Sequence, residues 1–279
     1  MEQTERFSAG PFFLSVAAAQ LGRAILSSGG AGSVRGQVVG QLAAAGALTL
    51  LGALAQANWA RLNRPGPAAG VLRAVFLVWY LVELGRTAQM VQQVCWQQFA
   101  SMAFPGLVPL LLWAGWSLDC GLLDRMAPVL GWLLGAGALL ALAGLTGQFR
   151  WQGLVPDSGL WGLPEVSLYP EYFSFPFLLK PQNRTARHPK MLLLLPVVSA
   201  GISAGYALGL ALLFGAGQAE GAPGYPGCEL LRAWSFGGIS RLDAAFLLLW
   251  LGAALYRFCF LVRVIRLLGR LPDGGRACP

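Results

Sequence analysis

The feature that most constrains this chain is a train of apolar runs, each close to the length of a membrane helix. They fall at about 11–28, 37–57, 70–95, 102–119, 127–147, 191–215 and 241–266. A hydrocarbon core of about 30 Å needs about 20 apolar residues in a helix that rises 1.5 Å per residue. The stretches between carry loop chemistry: "SSGGAGSVRG", "NRPGPAAG", "KPQNRTARHPK" and "GAGQAEGAPGYPG". Only 11% of the 279 residues are charged while 56% are hydrophobic, which is far from the composition of a soluble domain. The class expected is all-α, a polytopic membrane protein.

An eighth run, about 163–180, is broken. Its centre, "LYPEYFSFPFLL", holds Glu171 between Pro170 and Pro176. Each proline removes a backbone donor, so carbonyls one turn upstream lose their partners. Such backbone is tolerated at membrane depth only where it lines a cavity or is buried in protein. Basic residues indicate that this run crosses. With the N-terminus inside, thirteen of the 20 Lys and Arg fall in inner segments, four in outer ones and three (Arg23, Arg86, Arg257) within spans. That bias places both termini in the cytoplasm, which needs an even number of crossings. About eight transmembrane helices are therefore expected, in a single domain over 1–279. The polar start and the absence of a cleavage site predict that the first span is its own insertion signal.

Other features narrow the function. The five cysteines and one histidine show no metal spacing, and no nucleotide-loop, zinc-protease or hydrolase motif is present, so neither an enzyme nor a cofactor is expected. The net charge of +8 lies between apolar runs and sets orientation rather than offering a nucleic-acid surface. Glycines four apart, Gly201, Gly205 and Gly209, with Gly36 and Gly40 and with Gly131 and Gly135, predict close helix packing. Asn183-Arg184-Thr185 matches a glycosylation sequon but falls on the expected inner side.

Ionisable groups inside spans are rare because each costs about 2.5–3.5 kcal/mol at mid-bilayer. Four stand out: Arg23, Glu83, Arg86 and Glu171. Gly22, beside Arg23 and Ala24, could let the first span unwind and face a central site; alternatively Arg23 snorkels or pairs with an acid. Glu83 and Arg86 share a helix face and can neutralise each other, with Tyr80 and Glu83 the residues that could face a cavity. Glu171, followed by Tyr172 and Phe173, has no basic neighbour in its own run. It either lines a cavity or pairs with Arg23 or Arg86.

Taken in order, these landmarks resemble the spore germination permeases, the B subunits of nutrient germinant receptors and relatives of the amino acid–polyamine–organocation transporters. The resemblance rests on "LGRAILSSGGAG", "AFPGLVPLLLWAGWSLDCGLLDR", "GLVPDSG", "YPEYFSFPFLLKP" and "ELLRAWSFGGISRLDAAFLLLW". It implies an inverted-repeat permease fold of five plus five helices (LeuT-like), with helices 1 and 6 broken and the third and eighth completing an amino-acid-sized site. Repeat one would be about 11–147 and an incomplete repeat two about 160–268. The family has ten spans, and after "VRVIRLLGRLPDGGRACP" no apolar run remains for the last two. Arg23 also stands where the family has a small residue. The implied ligand contacts are Gly22, Arg23, Ala24, Tyr80, Glu83, Glu171, Tyr172 and Phe173. The implied partners are the A and C receptor subunits and a small nutrient, in the spore inner membrane. Secondary transport of amino acids, or a scaffold that has lost transport, are the competing readings.

Overall fold

A computed structural model of the chain describes residues 7–26, 34–57, 66–99, 104–145, 147, 149, 174, 178, 188–214, 235–236, 239–240 and 243–270. Among them the helices are α1 (Ala9–Leu26), α2 (Val34–Ala57), α3 (Pro67–Phe99), α4 (Phe104–Ser117), α5 (Cys120–Leu145), α6 (His188–Phe214) and α7 (Asp243–Arg270). The rest of the regular structure is a two-residue antiparallel pairing of β1 (Ser235–Phe236) with β2 (Ile239–Ser240) before α7. The protein is all-helical in class. Among the described residues four stretches are long and apolar enough to cross a membrane: Pro67–Trp96, Cys120–Leu145, Leu195–Leu213 and Asp243–Gly269. They mark an integral membrane protein. Val38–Leu54 and Phe104–Ser117 are apolar but shorter.

Helix ends follow local chemistry. Pro67 opens α3, where its missing N–H is no loss, and the Gly66 carbonyl accepts from Gly70 N–H at 3.1 Å. The Asp119 carbonyl accepts from Leu122 and Leu123 N–H at 3.1 and 3.3 Å, so Asp119 starts α5. The α5 helix therefore begins at Cys120 and runs through Pro128, seven residues before the expected start at 127. Asp124 and Arg125 lie ahead of that expected apolar run. The structure uses Asp124 instead: its Oδ1 accepts from Ser8 N–H at 2.9 Å and Ser8 Oγ at 3.0 Å, tying the start of α1 to α5.

The central helix is α7, packed against α1, α3, α4 and α5. Phe260 receives Phe7 and Phe12 at ring-centroid distances of 5.0 and 5.2 Å. Neighbours along α7 give the directions of the other helices. Phe7 meets Phe260, Ser15 meets Arg257 and Gly22 lies against Trp250, so α1 runs antiparallel to α7. Cys120 meets Arg263, Leu123 meets Tyr256 and Gly137 meets Leu249, which makes α5 antiparallel as well. In α3, Leu77 lies by Gly269 and Glu83 by Arg257, the same sense again. The chain leaves α5 at one end of this bundle. It is at the other by Leu178, whose carbonyl accepts from Phe7 N–H at 3.0 Å.

Two expectations about glycine and helix 1 are corrected. The α1 helix is unbroken through Gly22 and Arg23. Gly22 is there for close packing: a Cβ would run into Met90 Sδ and stand 2.8 Å from Trp250 Cζ2. Among the described residues nothing lies within 4 Å of where a Cβ would stand at Gly201, Gly205, Gly131 or Gly135, so no described helix packs closely at those four. Another tight contact is at Gly115, where a Cβ would lie 2.8 Å from Val262 Cβ and 3.1 Å from the Cys259 backbone. Spacing alone does not distinguish a glycine that touches another helix from one that faces outward.

Candidate functional site

The buried polar groups gather where α1, α3 and α7 cross. At the centre is Arg257, almost fully buried in the middle of α7. A guanidinium has five N–H donors and no acceptor, so burying it requires a matching set of oxygens. The structure supplies them from two helices. Arg257 Nη2 donates to Glu83 Oε2 at 2.9 Å and Nε to Thr87 Oγ1 at 3.2 Å, both on α3. Arg257 Nη1 donates to the Ser15 carbonyl at 2.9 Å and to Ser15 Oγ at 2.7 Å, both on α1. Thr87 Oγ1 in turn donates to the Glu83 carbonyl at 2.8 Å, which orients its lone pairs toward Arg257.

Glu83 serves two cations. Its second oxygen, Oε1, accepts from Arg86 Nη1 at 2.8 Å, so the internal pair expected from the i,i+3 spacing does form. The sequence reading offers that pair, with Glu171 as another partner for Arg86. It misses Arg257, although a guanidinium within "LYRFCFLV" carries the same mid-bilayer cost that singles out Arg23 and Arg86. That cost was the signal available.

One turn before Glu83, Tyr80 is fully buried and its hydroxyl shares a 2.6 Å hydrogen bond with Ser174. Ser174 stands in the proline-flanked run, three residues after Glu171. Glu171, Tyr172 and Phe173 themselves lie outside the described residues, and so does the side chain of Ala24. Gly22 belongs to a different level of the bundle. It packs beside Trp250, seven residues and about 10 Å along the helix from Arg257. Arg23 is half-buried at that same level. The structure thus brings Tyr80 and Glu83 into one polar layer and keeps Gly22 and Arg23 apart from it.

A second tie holds α1 to α6. The buried Gln20 amide donates to Ser199 Oγ, and its oxygen accepts from Ser203 Oγ at 3.2 Å. Trp250 Nε1 donates to the Ala18 carbonyl at 3.0 Å between these two levels. At the end of the bundle where α1 starts, Arg263 Nε meets Cys120 Sγ at 3.4 Å. Arg266 there donates to the Trp116 carbonyl at the end of α4 and lies 5.0 Å over the Trp116 ring. Cations at that terminus satisfy carbonyls that have no partner within the helix. Among the described residues no group of His, Cys, Asp and Glu could hold a metal ion.

Comparisons with protein-family models, with curated proteins and with solved structures give no match for this chain.

Proposed function

We propose that the chain is the membrane subunit of a germinant-receptor-type complex that senses a small amino-acid-like nutrient. One observation carries the reading. Ser15 of α1, Tyr80, Glu83 and Thr87 of α3, Ser174 and Arg257 of α7 converge on one buried polar layer. Those are the first, third, sixth and eighth apolar runs, the set that would line the site in an inverted-repeat permease. An amino acid carries one carboxylate and one ammonium group. Arg257 and Glu83 are their charge complements, and Ser15, Thr87 and Tyr80 offer the neutral hydrogen bonds that fix orientation. In this reading both termini face the cytoplasm, the A and C subunits complete the complex, and the fold is the LeuT-like repeat architecture.

A second reading, a scaffold that neither binds nor transports, is favoured by how completely Arg257 and Glu83 occupy each other. A ligand must displace that pair, and an interior that is already neutralised needs no ligand to be stable.

The deciding experiment is thermal unfolding of the purified protein against a panel of amino acids, alone and with the A and C subunits. A binder present at about 100 times its Kd stabilises by about 2.7 kcal/mol. A saturable shift that Glu83→Gln abolishes supports sensing. No shift across the panel in either setting leaves the scaffold. Uptake into proteoliposomes separates a transporter from a sensor.

A further inference from the structure

The α3 helix has two unlike faces. Tyr80, Glu83, Thr87 and Val91 turn inward and are buried. On the other side Val75, Val78, Val82, Gly85, Gln89 and Trp96 are exposed along one edge. The steps between them are three, four, three, four and seven residues, the spacing of a helix–helix seam. A lipid-facing helix has the same spacing, so the chemistry of Gln89 decides between the two. Ser174, from the proline-flanked run, meets Tyr80 on the inward side, away from this edge.

Helix ends show how deep Gln89 lies. Asp243 opens α7 at one side of the bundle. At the other, Phe7, just before α1, meets Phe260, and Cys120, the first residue of α5, meets Arg263. From Asp243 to Arg263 is about 30 Å of helix, the thickness of a hydrocarbon core. A Cβ on Gly22 would run into both Met90 and Trp250, so Gln89, next to Met90, stands at the level of Trp250. That level is about 10 Å from Asp243 and about 20 Å from Arg263, near the middle of the layer. An exposed amide there holds two N–H donors and a carbonyl that hydrocarbon cannot satisfy. The outward face of α5 is the contrast: from Met126 to Leu145 the chain carries no amide side chain, hydroxyl or charge.

We propose that two copies of this chain associate along α3, with Gln89 of one hydrogen-bonded to Gln89 of the other. Glutamine side chains hydrogen-bond across membrane helices, and an amide, which both donates and accepts, is its own complement. Copies inserted the same way round hold their α3 helices parallel, and a twofold axis between them sets each seam residue opposite itself. Arg86 flanks the seam and already meets Glu83 at 2.8 Å, so the contact asks for no acid from the partner. The proposal holds whether or not the chain binds a nutrient.

The test places a photoreactive residue at Val82 in the full chain, co-expressed in membranes as two differently tagged copies. The same residue at Leu139 on α5 is the control. Expected at Val82 is a cross-link that carries both tags and whose joined peptide, read by mass spectrometry, lies in α3. Gln89→Leu should lower its yield at least tenfold. Gly85→Leu should do the same by bulk, and no described atom lies within 4 Å of where its Cβ would stand, so the single chain should still fold. Thermal unfolding of each variant confirms that it is folded. Lipid adducts alone, an adduct to a different protein, a cross-link within one chain, a yield no greater than at Leu139, or a yield indifferent to both variants would overturn the proposal.

Discussion

The Arg257 layer and the Gln20 layer both anchor α1, but with different chemistry. Around Arg257 a buried cation is matched by a carboxylate, two hydroxyls and a carbonyl from α1 and α3. Around Gln20 a neutral amide meets two hydroxyls one turn apart on α6. Loss of a charged partner strands a group that cannot neutralise itself cheaply. Loss of a neutral one leaves hydroxyls that can turn back to their own helix carbonyls. The α1–α3–α7 junction should therefore tolerate single changes least, and the α1–α6 contact should tolerate them better.

Substitutions can break that contrast, and unfolding in mild detergent measures each of them. Glu83→Leu should be the most damaging, at about 3–5 kcal/mol, because it takes a carboxylate from the buried Arg257. Arg257→Met should cost less, about 1–3 kcal/mol, since Glu83 retains Arg86 while Ser15 and Thr87 lose a donor. The double variant should recover most of the Glu83→Leu loss, and a strictly additive result would show that the two groups do not act as a pair. Gln20→Leu should fall at or below the Arg257→Met value; a larger loss would reverse the ranking of the two layers.

The glycines sharpen the same comparison at smaller scale. Gly115→Leu should destabilise by about 1–3 kcal/mol, because its side chain would enter the α7 backbone at Cys259. Gly201→Ala should be neutral or stabilise by up to about 1 kcal/mol, since no atom of the described residues stands where its Cβ would go and alanine favours helix. Equal effects at the two positions would mean that the α6 face is packed after all.

Much of the helix layout was legible in advance. The run expected at 11–28 is α1 at Ala9–Leu26, and that at 241–266 is α7 at Asp243–Arg270. The run expected from 127 leaves Asp124 and Arg125 outside, whereas the structure starts α5 at Cys120 and gives Asp124 a partner in Ser8. The break expected at Gly22 was misread. Glycine signals either freedom to unwind or the need for close approach, and only the neighbour, here Trp250, decides between them.

The burial of α7 makes the division clear: 61% of its most apolar window is inside the protein, against 12% for α5, although both read as apolar spans. A membrane helix satisfies its backbone within its own segment, so length and apolar content suffice to locate it from sequence. That local rule determined the class of this protein and where its helices run. Which helix becomes the centre, and that Arg257 closes on a carboxylate 174 residues away, depend on contacts between segments. Side-chain pairing across helices leaves no periodicity in the chain, and only the tertiary structure decided it.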